Sequence, residues 1–326
     1  MELHQLEAFE AVALHRSFTR AAESLFLTQP AVTRQIAALE GELKTRLFDR
    51  LGRTVQMTTA GEALHRYSEL ILRLIREARE AVGDTESGEA GKLTVGASST
   101  LATYVLPHLL RRFRETLGGG ERIEIAIHTG VSARILDMVR GGNADIGLVT
   151  GEGDAAEAAI QAAATPRDPL LDVRILADYE TCVVVPTLHP LAERKRVTVA
   201  QIAPYSMILM ESGTNLRTYV DRLLSTAGVP KQITMELDNV EAIKRMIEAD
   251  LGISILPQVA VRAEVEEGRL AALTLSDSPR RAHRRIALVY RRDKYLSAPL
   301  KAFMALLERE VGESVRVPSV ESFTPP

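Results

Sequence analysis

Apolar residues near the start of the chain recur at helical spacing. Val32, Ile36, Leu39 and Leu43 fall at i, i+4, i+7 and i+11, so a helix here carries one stripe that packs inward on Phe9, Val12, Ala21 and Ala22. A shorter helix precedes it over Phe18–Ser24, with Ser17 placed to accept an unpaired first-turn N–H. Leu25-Phe26-Leu27 leaves chain only for a turn between the two. The second helix starts at Thr28-Gln29-Pro30, where Pro costs no hydrogen bond and either Thr or Gln can cap. Its opposite face carries Thr33, Arg34 and Gln35, and no acid occurs from Leu25 through Leu39. A helix-turn-helix with a polar, acid-free front suits the major groove of DNA, and an ordinary amphipathic helix with a solvated face has the same pattern.

Arg50 to Thr58 is two short extended arms around Gly52, a small wing with Arg50 and Arg53 at its flanks. Basic residues there suit phosphate contacts, which set affinity more than sequence preference. Net charge does not support DNA binding by itself. Through residue 60, Arg16, Arg20, Arg34, Lys44, Arg46, Arg50 and Arg53 are matched by Glu2, Glu7, Glu10, Glu23, Glu40, Glu42 and Asp49. Attraction to a polyanion therefore has to come from segregation of the charges.

A long helix is predicted from Thr59 to Val82, capped by Thr58 or Thr59, with Glu62 as a capping-box partner. Leu64, Tyr67, Ile71, Leu74, Ala78 and Ala81 repeat in steps of three and four, the pattern of a helix seam between two chains or against the helix's own chain. Arg66, Glu69, Arg73, Arg76, Glu77, Arg79 and Glu80 fall on the other faces, and Asp84–Gly91 is a polar linker. From Lys92 the period changes. Strands over Lys92–Ala97, Arg122–His128 and Ala144–Val149 alternate with helices over Leu101–Thr116 and Ser132–Arg140, as in parallel βαβ units. A second set follows, with strands at Tyr179–Val185, Tyr205–Met210, Ile233–Leu237 and Ile253–Leu256 and helices at Asn215–Ala227 and Val240–Ala249. A last strand, Arg285–Tyr290, and the helix Ala298–Glu310 close the chain's ordered part.

The elements SFTRAAE, TQPAVTRQI, LEGELKTRLFDR and TTAGE together resemble a LysR-type transcriptional regulator, and the likeness covers almost the whole chain. It implies an α+β multidomain protein with an N-terminal winged helix-turn-helix, a long linker helix and a C-terminal two-lobed α/β effector domain like a periplasmic binding protein. The expected limits are 1–58 for the DNA-binding domain, 59–91 for the linker and hinge, and 92–311 for the effector domain. Lobe I takes 92–165 and 268–311, lobe II takes 166–267, and a flexible tail covers 312–326. Expected DNA contacts are Ser17, Thr19, Arg20, Thr28, Gln29, Ala31, Thr33, Arg34 and Gln35, with Arg50 and Arg53 on the backbone. The family uses its long helix to dimerise, here through Leu64, Tyr67, Ile71, Leu74 and Ala78. A homodimer or homotetramer is expected in the cytoplasm on the nucleoid, and an activator would also meet RNA polymerase.

Ligands of open α/β sheets sit beyond the carboxyl ends of strands. Ser98, Ser99 and Thr100 occupy such a corner in the first lobe, and Ser212, Gly213, Thr214 and Asn215 occupy it in the second. Thr129-Gly130 and Thr150-Gly151 end two further strands. Small hydroxyls beside backbone amides suit an anion, and helix capping is the plainer use of each. GASST followed by LATYVLP is most similar to family members that sense small anionic metabolites, such as sulfur-assimilation and carbon-fixation regulators. Arg217 is either a charged contact to that ligand or a solvated first-turn residue.

Composition is that of a globular chain, with 46% hydrophobic and 25% charged residues in 326. No apolar run approaches the ~20 residues that cross a bilayer. The single Cys182 lies in an apolar run and is most simply a buried strand residue, a redox role being the alternative. The seven histidines have no metal-ligand spacing, and no cofactor motif accompanies the effector site. The alternative function is an enzyme of binding-protein fold with an appended DNA-binding domain, which needs a nucleophile with a base, or paired carboxylates, at the cleft. Asp145 and Asp238 are the nearest acids, each at a strand boundary. The segment 152–165 is a short helix or a surface excursion, and Asp250 stands where the family more often has Gly. The basic run Arg280, Arg281, Arg284, Arg285, Arg291, Arg292 and Lys294 is solubilising charge beside an exposed strand, or a contact to DNA or a second subunit.

Overall fold

The computed structural model describes residues 1–51, 54–86, 90–116, 122–152, 170–230, 232–276 and 284–315. The chain divides into two compact units, Met1–Ser87 and Gly88–Pro326. In the first unit, α1 (Leu3–His15), α2 (Phe18–Ser24) and α3 (Gln29–Leu43) enclose a core of Phe9, Val12, Phe18, Ala21, Ala22, Val32, Ile36 and Leu39. The predicted stripe stops one turn early. Leu43 is 40% exposed, because α3 ends there in a left-handed residue, Lys44. The wing follows as an antiparallel hairpin of β1 (Phe48–Leu51) and β2 (Thr54–Met57), and Phe48 stacks its ring on Phe9 at 5.1 Å.

Next comes α4 (Thr59–Glu86), one turn longer than predicted. Thr58 is its cap, with Oγ1 accepting from Gly61 N at 3.0 Å. Gly61 is required by close approach, since a Cβ there would lie 2.2 Å from the carbonyl oxygen of Leu47. Glu10 of α1 accepts from Ser68 Oγ and meets His65 Nδ1 at 3.0 Å, fastening α4 to α1. Arg73 and Glu77 are buried rather than wet.

The second unit holds two lobes. Lobe I is a five-stranded sheet in the order β4-β3-β5-β13-β6, from β3 (Ala90–Ser98), β4 (Arg122–Gly130), β5 (Ile146–Glu152), β6 (Leu171–Tyr179) and β13 (Arg284–Arg291). The first three strands run parallel, and β13 is antiparallel to both its neighbours. One face packs on α5 (Ser99–Tyr104), α6 (Leu106–Thr116) and α12 (Ala298–Val315), the other on α7 (Ser132–Gly141). A single helix over Leu101–Thr116 was expected. The chain breaks at Val105 instead, because Pro107 lacks the N–H a continuing helix would use and is tolerated only in a new first turn.

Lobe II joins β7 (Thr181–Pro186), β8 (Arg196–Val197), β9 (Met207–Met210), β10 (Ile233–Leu237), β11 (Ser254–Pro257) and β12 (Leu270–Leu275) with α8 (Val199–Ile202), α9 (Asn215–Thr226), α10 (Val240–Glu248) and α11 (Gln258–Glu266) around one core. Its strands order as β11-β7-β12-β8 and β10-β9, linked by a bridge between Met207 and Ile253.

The lobe limits therefore differ from 92–165, 166–267 and 268–311. Residues 171–179 pair with β13 and belong to lobe I, and residues 270–275 pair with β7 and β8 and belong to lobe II, so each crossover comes one strand later. Pairing partner is a long-range property that alternation along the chain does not encode. Nor does the tail begin at 312. Val311 and Val315 are buried and α12 runs through both. Residues 316–326, and 153–165 with their expected helix or excursion, lie outside the described residues. Asp250 takes the left-handed conformation, φ 59°, that a Gly would supply, and Asp is among the residues that tolerate it.

Candidate nucleic-acid interface and effector cleft

The front of α3 presents the expected side chains unevenly. Thr28, Gln29 and Arg34 are exposed, while Ala31, Thr33 and Gln35 are half-buried. Thr28 holds the N-cap position without a side-chain cap bond, so its hydroxyl is free to serve another acceptor or donor. Ser17 differs, since its Oγ accepts from Arg20 N at 3.3 Å and caps α2. Thr19 and Arg20 are exposed beside it. The turn between the helices puts Phe26 at φ 55° and leaves its ring in solvent. Arg50 stands on β1, but its side chain and all of Arg53 lie outside the described residues.

On α4 the seam residues divide. Leu64 is half-buried and packs against the core of the helix-turn-helix. Tyr67, 64% exposed, Leu74, 48% exposed, and Ala78 face outward, with Ile71 half-buried; Leu70 and Val82 extend the exposed stripe.

In the second unit the cleft corners are brought together selectively. Asn215, at the start of α9 in lobe II, donates Nδ2 to the carbonyl of Thr150 at 2.5 Å and to Ser132 Oγ at 3.0 Å, both in lobe I. Ser98 ends β3 with a buried Oγ that has no hydrogen-bond partner. Thr150 is buried and its Oγ1 accepts from Arg284 Nη2 at 3.4 Å. Thr214 is a working cap, accepting from Arg217 N and donating to Glu211 O, so the plainer use applies there. Ser99, Thr129, Ser212 and Gly213 are exposed, and Thr100 and Gly130 half-buried, on the same strand and helix ends.

Arg217 is neither solvated nor free for a ligand. Asp221 takes its Nε at 3.1 Å, and Met210 O and Glu236 take Nη1 at 3.0 and 2.9 Å. The basic run is also not all solvated, because β13 is an interior strand. Arg284 and Arg291 are each 2% exposed, Lys294 pairs with Asp145 at 2.9 Å, and Arg285 lies 3.5 Å from Asp178.

Residues 3–62 match the bacterial regulatory helix-turn-helix protein of the LysR family, and residues 86–312 match the LysR substrate binding domain. The chain belongs to the LysR family. It is a DNA-binding transcriptional regulator with an effector-binding domain. The RuBisCO operon transcriptional regulator of Allochromatium vinosum is 32% identical over 304 residues, covering 93% of this chain and 94% of that protein. The probable RuBisCO transcriptional regulator of Trichormus variabilis is 30% identical over 306 residues, covering 92% and 86%. A full-length OxyR variant from Pseudomonas aeruginosa, 24% identical, shares the fold with a TM-score of 0.68 over 96% of its own length and 98% of this one.

Within this LysR-family chain, four residues that sequence reasoning did not single out as site residues also stand at the lobe boundary: Ser132, which accepts from Asn215 Nδ2, and Arg284 with the rings of Tyr179 and Tyr219 against its guanidinium. Only Arg284 left a signal, as one cation in a basic run. Among the described residues no base is hydrogen-bonded to the buried Ser98 Oγ, the hydroxyl that a nucleophile-and-base reading would use. The family's members named above are regulators. Asp145 serves its strand boundary, accepting from Thr94 N at 2.7 Å.

Glu10, His65 and Glu69 lie close enough to one another to share an ion. Glu10 addresses His65 Nδ1 at 2.9 Å and Glu69 addresses Nε2 at 3.7 Å, the arrangement of a bridged imidazole rather than of three ligands around one centre. Cys182 is buried on β7, and burial, then the charge of Glu180, pushes its thiol up to about 12. A neutral, enclosed thiol is a poor nucleophile. Iodoacetamide at pH 8 should therefore label Cys182 in urea and leave the native protein unlabelled over the same hour; rapid native labelling would return Cys182 to the list of sensor thiols. Among the described residues, no helix is long and apolar enough to cross a membrane.

Proposed function

We propose that this regulator is a homodimer, or a pair of such dimers, that reads a two-fold related operator and is switched by a small anion bound between the lobes. The observation that carries the switch is the hydrogen bond from Asn215 of lobe II to the Thr150 carbonyl of lobe I. A ligand entering there exchanges a direct lobe-to-lobe contact for its own, so occupancy biases the lobe arrangement. Such coupling is worth about 1–3 kcal/mol and cannot exceed the ligand's differential affinity for the two arrangements.

The exposed stripe of α4 supports the dimer, which places two α3 helices on successive half-sites. Thr28, Gln29, Ala31, Thr33, Arg34 and Gln35 enter the groove, with Ser17, Thr19, Arg20, Arg50 and Arg53 on the backbone. The protein works in the cytoplasm on nucleoid DNA, and as an activator it would recruit RNA polymerase. Relatives named for RuBisCO operons support a target among operons of carbon assimilation.

Operator fragments selected from genomic DNA provide the test. Their retardation should change saturably with at least one small carboxylate, sulfate or phosphate. Ser98→Ala should raise the half-maximal anion concentration about fivefold, because one hydrogen bond is worth about 1 kcal/mol. No response to any anion, or the same response in Ser98→Ala, removes the cleft from the mechanism.

A further inference from the structure

Five cationic side chains are buried among the described residues: Arg73, Arg217, Lys244, Arg284 and Arg291. Four have a carboxylate within ion-pair distance. Glu77 stands 3.9 Å from Arg73, Asp221 3.1 Å from Arg217, Glu264 2.9 Å from Lys244, and Asp293 accepts from Arg291 Nε at 2.8 Å. Arg284 has none among the described side chains. Its Nη2 reaches the neutral Thr150 hydroxyl, and among the described residues no acceptor lies within hydrogen-bond distance of Nε or Nη1.

A guanidinium cannot relieve burial by losing its proton, as a lysine can, and an unpaired buried charge is strongly unfavourable. The rings of Tyr179 and Tyr219, at 5.5 and 5.9 Å from its central carbon, offset part of that cost through their faces. Neither ring accepts the open N–H groups in the plane of the fork.

The position is also informative. Arg284 opens β13 in register with Glu152 of β5 on one side and Tyr179 of β6 on the other, at the carboxyl end of β5, where Thr150 lies. Tyr219 comes from α9 of lobe II, the helix that begins with Asn215. The charge thus lies where the two lobes meet, between Tyr219 of lobe II and Thr150 of lobe I, and the same sheet holds a second buried group without a hydrogen-bond partner, Ser98 Oγ on β3.

We propose that Arg284 is the counter-charge of the effector: the ligand's oxyanion occupies the open Nε and Nη1 donors between Tyr179 and Tyr219, with Ser98 as a further donor. This rests on the reading of the cleft as the effector site. It narrows the ligand to a small carboxylate- or phosphate-bearing metabolite and excludes neutral sugars and amines.

Thermal unfolding of the full-length protein tests it, with inorganic phosphate and malonate as separate probes. A cation awaiting a ligand destabilises the empty protein, so in anion-free buffer Arg284→Gln should melt at a higher temperature than wild type. At a hundredfold excess over Kd, a bound anion should raise the wild-type midpoint by about 5–10 °C. Arg284→Gln should lose most of that shift and Arg284→Lys should keep part of it. A response to phosphate only assigns a phosphate ester, and one to malonate only assigns a carboxylate; both support the proposal. If Arg284→Gln melts lower than wild type without anions, a protein group already serves the charge and the proposal is overturned. Equal saturable shifts in wild type and Arg284→Gln, lost in Ser98→Ala, overturn Arg284 as anchor while the cleft stands. No saturable shift with either probe overturns both.

Discussion

Leu74→Asp should leave the helix-turn-helix folded and abolish tight operator binding. Leu74 is half-exposed on α4, so the substitution costs little within one chain, whereas in a seam each new carboxylate faces the apolar stripe of its partner. A dimer of the proposed kind gains affinity because binding of one half-site holds the second reading helix at high effective concentration, an advantage of about 10²–10⁴-fold. Sedimentation should show monomers, and operator affinity should fall by a factor in that range. A dimeric Leu74→Asp protein with wild-type affinity would place the subunit contact elsewhere.

For Arg34→Ala the expected loss is about 5–150-fold in operator affinity, the 1–3 kcal/mol of a specific contact to a base edge. Arg34 is exposed on the acid-free front of α3, and truncation removes no packing from the core of Val32, Ile36 and Leu39. Non-specific DNA separates the two roles an arginine can have. A base contact should lose operator affinity while non-specific binding at matched salt barely changes. A phosphate contact should weaken both together and reduce the salt slope by about one. Unchanged affinity for both removes Arg34 from the interface.

How far each element was legible depended on the range of the forces that form it. The helix-turn-helix was legible because its stripe, its Ser17 cap and Pro30 act within one or two turns of chain. Leu64 shows what spacing leaves open. Its spacing fits the α4 seam, and α4 starts against the core of α1 to α3, where Leu64 packs half-buried. The cleft was half legible. Hydroxyls at strand ends mark where ligands go in α/β sheets, and Thr150 and Asn215 do meet across the lobe boundary. Thr214, by contrast, is consumed by its own helix, which a sequence cannot separate from ligand binding.

Arg284 and Arg285 are neighbours in a run of cations, and successive residues of a strand point to opposite faces. Whether either face is wet depends on what pairs on both sides of β13. β5 and β6 do so from about 130 and 110 residues upstream in the chain. Local patterns of apolarity, caps and turn residues are enough to define the DNA reader, the long helix and the α/β character of the rest, because those depend on neighbours a few residues away. The lobe limits and the interior place of β13 arise from pairing between strands far apart in the chain, Leu270 with Pro186 and Arg284 with Tyr179, and burial gives the charge of Arg284 its meaning.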